Sequence, residues 1–166
     1  MFNTFNDART YVHEQGFKMI DLKFTDLAGR WRHVTLPVSQ FNEQLMRDGV
    51  GFDGSSVGLR SLQSGDMVLL PDLTTAFHDT FWELPTLSFI CSVYEADSKQ
   101  PFQRDPRNVA RRAEAYMRSL GVATESRWGP EYEFYVFDRV TYENEVNAAA
   151  YRVDSCEADW QSAHGG

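Results

Sequence analysis

The fold turns on how one stretch is read: GPEYEFYVFD, Gly129 to Asp138. In an extended strand Glu131, Glu133, Tyr135 and Phe137 project from one face, and Tyr132, Phe134 and Val136 from the other. Both faces are then largely covered by aromatic and aliphatic groups, which predicts a mostly buried strand with the two glutamates at one end. They would stand about 6.5 Å apart, at ~3.3 Å per residue. Two like charges on a covered strand repel each other and need either cations or water. Hard carboxylate oxygens suit magnesium or manganese, and a pair of carboxylates suits ions ~3.5–4 Å apart, an arrangement fitted to phosphoryl transfer. The other reading is a strand end whose glutamates simply reach solvent. Local sequence leaves both open.

Upstream of this stretch, Asp105 and Pro106 open a helix as N-cap and first helical residue. Val109, Ala113, Tyr116, Met117 and Leu120 form its apolar face, and Gly121 ends it; the arginines of RNVARRAEAYMR fall on the polar side, read as solvated. A boundary falls before this helix, at SKQPFQRDPR, where polar residues and two prolines gather. Residues 1–100 then read as a small mixed sheet crossed by one or two helices. Asn6 or Asp7 caps the first helix and Gly16 stops it. Ile20, Leu22 and Phe24 alternate as a strand, and the turn Asp26 to Gly29 joins it to a second over Arg30 to Leu36. Ser39 caps a second helix with Phe41, Leu45 and Met46 inward, ending near Gly49. The glycine- and serine-rich segment Gly49 to Gly65 reads as a loop. DMVLLPD, TFWEL and TLSFICSVYE read as strands. After Asp138 come a polar connector around Glu143 to Asn147 and a strand from Tyr151 to Ser155. The class is α+β, in two domains, 1–100 and 101–166.

The chain has 166 residues and a formal net charge of -8, with 42% apolar and 14% aromatic residues. That composition supplies a packed core, and its charge repels phosphates, which argues against nucleic acid or an anionic membrane. No apolar run approaches the ~18 residues that span a bilayer, and the N-terminus is too polar for a signal peptide. A cytoplasmic location is expected. Cys91 and Cys156 form no C-x-x-C pair and read as buried thiols. The four histidines show no ligand spacing and read as surface or packing residues; the four tryptophans read as core or interface.

Within the loop, GFDGSS is turn chemistry, and Asp53 and Ser55 can be satisfied by nearby backbone. The same loop can instead present Asp53 and Ser56 to a ligand, with Asp53 favouring a cation or accepting a proton. No G-K-[ST] follows, so it is no P-loop.

GFDGSS, DMVLLPD with TT close behind, RDPRNVARRAE, GPEYEFYVFD and VDSCEADWQS together, in this order, resemble the N-terminal portion of a bacterial or archaeal type I glutamine synthetase. The resemblance implies a β-grasp domain at the N-terminus, followed by the start of an antiparallel-sheet α+β catalytic domain. It implies ATP-dependent joining of ammonia to glutamate through a γ-glutamyl phosphate. Glu131 matches the family glutamate on the metal that accompanies the nucleotide phosphates, and Glu133 one on the metal nearer glutamate, Mg²⁺ or Mn²⁺. Asp53 matches the aspartate that binds ammonium and helps deprotonate it, with Ser56 beside that site. The family loop reaches into a neighbouring subunit's active site, so a homo-oligomer, a double ring of twelve, is expected. Tyr132 departs from the proline or other apolar residue usual between the glutamates. Family enzymes run well past 400 residues, so this chain alone is expected to be inactive. Two alternatives are a γ-glutamyl ligase for another amine, against which the compact anionic Asp53 argues, and a short non-catalytic module that binds full-length subunits.

Overall fold

The computed structural model describes residues 1–61 and 65–160. Two compact units divide the chain, Met1–Ser126 and Arg127 onward, and each is described by itself.

In the first unit, α1 (Phe5–Glu14) is capped by Thr4, whose hydroxyl oxygen accepts the Asp7 N–H at 3.2 Å. Thr4 takes the role expected of Asn6 or Asp7 because the helix begins two or three residues earlier. Next come β1 (Met19–Thr25) and β2 (Trp31–Pro37), an antiparallel hairpin. Its turn is fixed by Asp26, whose Oδ1 accepts the N–H groups of Ala28 and Arg30 at 2.9 Å each. Helix α2 (Glu43–Asp48) is capped by Asn42 rather than Ser39; Asn42 Oδ1 accepts the Leu45 N–H at 2.9 Å, while Ser39 lies in a preceding 3-10 turn.

The segment expected to be all loop holds a strand, β3 (Val50–Asp53), paired antiparallel with β4 (Asp66–Pro71). Gly49 makes the switch from helix to strand. Its φ of 72° is left-handed, and a Cβ there would overlap the Leu69 carbonyl, so only glycine lets β3 lie this close to β4. β5 (Phe77–Asp79) and β6 (Thr86–Glu95) complete a six-stranded sheet in the order β2-β1-β6-β4-β3, with β5 on β6. β1 and β6 run parallel and every other pair antiparallel. TFWEL is not a strand. Asp79 Oδ1 accepts the Phe81 N–H at 3.3 Å and turns the chain away from the sheet.

One face of the sheet carries the core. Ile20, Leu22, Phe24, Leu87, Phe89, Val93, Met67 and Leu69 are buried there with Ala8, Val12 and Leu45 of the helices. Phe41 stacks on Phe89 with centroids 5.5 Å apart. Cys91 is buried in the same cluster, and burial pushes its thiol far above the ordinary range. Cys156, expected to be buried, is exposed; both thiols are free.

The other face is polar, and this explains α3 (Pro106–Ser119). Asp105 caps it as expected. Its arginines divide: Arg107 donates to the Ile90 carbonyl at 3.2 Å and to Asp72 Oδ2 at 2.8 Å, and the partly exposed Arg111 to the Ser92 hydroxyl at 3.0 Å, while Arg112 and Arg118 are exposed as expected of a solvated face. Val109, Tyr116 and Leu120 are instead exposed, and no residue of the helix is buried. Arg107 and Arg111 reach the sheet because Ser92 and Asp72 give that face acceptors rather than apolar groups. Asp105 is itself buried, with Oδ2 accepting the Val93 N–H at 3.1 Å and Oδ1 the Arg107 N–H at 3.2 Å.

The second unit is a hairpin, β7 (Arg139–Asn144) and β8 (Ala149–Asp154), preceded by an extended segment. The strand expected at Gly129–Asp138 is not one: 129–137 carry no ladder, and the buried strand lies nowhere in this stretch. Extended backbone becomes a strand only when a neighbour takes its N–H and C=O groups, and none of the described residues does so. The alternation survives locally, for Tyr135 and Phe137 stack with centroids 6.0 Å apart. The hairpin begins where the extended stretch ends; its turn is closed by Glu145 N–H donating to the Ala148 carbonyl at 2.8 Å. The polar connector is therefore shorter than expected, and none of the four tryptophans is buried.

Candidate active site

Asp53 is the last residue of β3, paired across the ladder with Asp66. The chain then winds into a 3-10 turn, Gly54–Val57, for which Asp53 is the N-cap. Its Oδ1 accepts the Ser55 N–H at 2.8 Å, and Ser56 donates its hydroxyl to the Asp53 carbonyl at 2.7 Å. The Ser55 hydroxyl and N–H, then the Ser56 N–H, hold the Asp53 carboxyl below the usual carboxylate range against a smaller opposing effect of burial. Asp53 is thus ionised, exposed and aimed by its own turn.

The turn is anchored from behind. Leu59 is fully buried, and its carbonyl accepts from Arg104 at 3.0 Å. Arg60 pairs with Glu95, and the Arg60 and Arg104 guanidiniums lie 5.4 and 5.6 Å from the Phe102 ring centroid. Asp53 and Ser56 open on a cleft of about 450 Å³ whose walls include Phe24, Phe52, Trp31 and His33.

Glu131 and Glu133 occupy alternate positions of the extended segment before β7, both exposed. Two oxygen-donor side chains on one segment fit a hard divalent ion but supply only part of its shell. Among the described residues no three His, Cys, Asp or Glu side chains gather as a metal site. The structure therefore sets Ser56 against Asp53 in the first unit, and places Glu131 and Glu133 as alternate, exposed residues of one segment in the second.

A polar cluster that the histidine spacing does not reveal lies on the second face of the sheet. Asp21, fully buried, accepts from Thr35 Oγ1 at 2.6 Å and lies 2.8 Å from His33 Nδ1. Lys23 lies 3.3 Å from Asp21 and 2.7 Å from Asp79, under the rings of Trp31, Phe77 and Trp82 at 5.6 to 5.9 Å. Burial works against the Lys23 charge, but hydrogen bonds to Asp79 and Asp21 outweigh it and raise its pKa. The signal was present in the hairpin: D-x-K in β1 faces H-x-T in β2, and the register Asp21↔Thr35, Lys23↔His33 puts all four on one face.

Two family models account for most of the sequence: the glutamine synthetase β-grasp domain matches residues 16–96, and the glutamine synthetase catalytic domain matches 103–166. The glutamine synthetase of Pasteurella multocida is 45% identical over 91% of this chain and 32% of its own length. The chain belongs to the glutamine synthetase family. That of Frankia alni is 40% identical over 98% of this chain and 35% of its own. A 3-hydroxylaminophenol mutase of Cupriavidus pinatubonensis is 41% identical over 94% and 33%. The chain thus spans about a third of the length of these curated relatives. Among solved structures, the cryo-EM Plasmodium falciparum glutamine synthetase superposes with a TM-score of 0.68 at 16% identity, covering 98% of this chain and 33% of that one. A GmaS/ADP complex gives 0.60 at 22%, covering 68% and 25%. At these identities the likeness speaks for the fold. The β-grasp expectation for the N-terminal domain and the α+β class both hold. No helix among the described residues is long and apolar enough to cross a membrane.

Proposed function

We propose that this chain is the N-terminal portion of an ATP-dependent glutamate–ammonia ligase, with residues 1–100 as its β-grasp domain and 101–166 as the start of its catalytic domain. In this reading ATP phosphorylates the γ-carboxylate of glutamate, and ammonia then displaces phosphate to give glutamine. Asp53 holds ammonium, since a compact, ionised carboxylate on a rigid turn suits a small cation, and Ser56 shapes the same pocket. Glu131 and Glu133 hold Mg²⁺ or Mn²⁺, which when bound neutralises phosphate charge. Active sites lie between neighbouring subunits of a homo-oligomer, a dodecamer in the fullest form, in the cytoplasm. Two ligating side chains form a half-site, so the 166-residue chain is inactive by itself.

The observation that carries this reading is identity of 40–45% to glutamine synthetases over nine-tenths or more of the chain. The mutase at 41% identity keeps a second reading in view, in which the same scaffold serves another reaction or another amine. One experiment separates them. The coding sequence is read in frame past Gly166, the longer product is purified, and phosphate release from ATP and glutamate is followed with ammonium and with larger amines. Glutamine formation specific to ammonium supports the ligase. A preference for a larger amine, or isomerisation of a hydroxylaminophenol, supports the alternative. A stop codon directly after Gly166 supports a short module that binds full-length subunits.

A further inference from the structure

The turn that carries Asp53 is tied to the start of α3. Within the turn, the Gly54 N–H donates to the Gly65 carbonyl at 2.7 Å, and the Leu59 N–H closes onto the Gly54 carbonyl at 2.9 Å. The Leu59 side chain is fully buried, but apolar burial has no direction and does not orient the peptide that follows it. Arg104 supplies that direction, donating to the Leu59 carbonyl at 3.0 Å. Arg104 is itself well seated. Phe102, 3% exposed, donates its N–H to the Val93 carbonyl at 2.8 Å, and Asp105 Oδ2 takes the Val93 N–H at 3.1 Å. Arg104 therefore stands on a two-residue bridge whose ends are both fastened to β6. Keeping a charge there has a cost. The Arg60 and Arg104 guanidiniums lie 5.4 and 5.6 Å from the centroid of the same Phe102 ring, and like charges repel. Glu95 pairs with Arg60, and among the described residues Arg104 has no carboxylate of its own. A neutral residue at 104 would avoid that repulsion and would lose the bond to Leu59.

We propose that Arg104 is a positioning residue for Asp53: by holding the Leu59 carbonyl it fixes the turn that presents the Asp53 carboxylate to its cleft, and so ties cation binding there to the entry of α3. That the cation is ammonium rests on the ligase reading; the bracing of the turn does not. Arg104 touches no cation and repels one, so its effect passes through the backbone. Attraction between a carboxylate and a small cation falls with distance. A carboxylate held still by its turn binds such a cation better than one that must be ordered on each encounter. Asp53 is exposed, and Ser55 and Ser56 bond to it from within the turn itself. Those bonds shape the turn but do not fasten it to the domain. The Arg104 bond does, from a segment that lies 45 residues further along the chain than Leu59.

Two measurements decide it. Amide hydrogen exchange on the 166-residue chain reads the turn without turnover. Arg104→Met should speed exchange of the Gly54 and Leu59 amides by about 10-fold, leave the β1–β6 ladder unchanged, and be partly reversed in Arg104→Lys, which keeps a charged donor. Unchanged exchange in the turn overturns the brace. Equal acceleration in the ladder overturns it too, because Arg104 would then hold the domain and not the turn. In the longer protein, phosphate release from ATP and glutamate is followed against ammonium concentration. Arg104→Met should raise KM for ammonium about 10-fold while KM for glutamate stays within about twofold, with Arg104→Lys in between. A KM for ammonium within about twofold of wild type, or an equal rise for both substrates, overturns the positioning role. If the longer protein makes no glutamine at all, the ligase reading falls, and the exchange rates still decide whether Arg104 braces the turn.

Discussion

The two units treat apolar residues in opposite ways. In the first, the alternation of β1 and β6 places Ile20, Leu22, Leu87 and Phe89 in a core where each is at most 1% exposed. In the second, an equally regular alternation leaves Tyr132, Phe134, Tyr135 and Val136 at least 75% exposed. The sequence patterns are alike; the neighbours differ. β6 is paired along its length by β1, β5 and β4, whereas 129–137 have no partner among the described residues. Period-2 alternation states what a segment is suited to, and only pairing makes it a strand.

This contrast can be broken by mutation, and the largest effects should fall in the first unit. Phe89→Ala should cost about 3–5 kcal/mol in urea unfolding, whereas Phe134→Ala should change the same transition by less than about 0.5 kcal/mol. A cost at Phe134 near that at Phe89 would mean that the second unit hides its aromatics after all. Lys23→Met leaves Asp21 and Asp79 buried without their cation and should cost about 3–5 kcal/mol, read the same way.

The same ion cluster gives the first unit a pH window. Burial works against the Asp79 charge, but Lys23 and Ser88 outweigh it and hold its carboxyl below the ordinary 3.8. Its contribution is complete above that value and lost as pH falls below it. Lys23 is raised above 10.5, so its contribution is complete below that value and lost as pH climbs beyond it. Thermal unfolding across pH should show a plateau between these limits, with Lys23→Met removing the alkaline edge. An unchanged alkaline edge in the variant would assign it elsewhere.

Asp105→Ala removes a helix cap and strands the buried Val93 N–H, for about 2–4 kcal/mol; a loss below about 1 kcal/mol would mean that α3 is held by its arginines alone. Smallest is Glu131→Gln, which should leave stability within about 0.5 kcal/mol because its side chain is exposed, while, on the proposed metal role, weakening Mg²⁺ binding in the longer protein. Unchanged metal affinity there would remove Glu131 from the proposed metal site.

Much of the fold was legible because local rules sufficed. The β1–β2 hairpin, β4, β6 and the Asp105–Pro106 helix start lie within a residue or two of where periodicity and caps put them. β3 was hidden because Gly49 and Gly51 read as loop, although glycine is what allows the close approach to β4. α3 was legible as a helix but not in its orientation, since helical periodicity does not say which face of a sheet is polar. Asp53 and Ser56 were legible as a motif, while the Asp21–His33 contact needed a cross-strand register that single-strand patterns do not supply.

The place of β6 has a consequence for synthesis. Asp21 pairs with Ser88, and Leu69 with Val93, so both hairpins of the first unit close onto the strand made last. Local hairpins form in microseconds, but the parallel β1–β6 ladder waits for a long loop to close. On the ribosome the first unit therefore stays without its core until Glu95 has emerged, and a nascent chain halted before Thr86 exposes the faces of β1 and β4 to whatever chaperone is at hand.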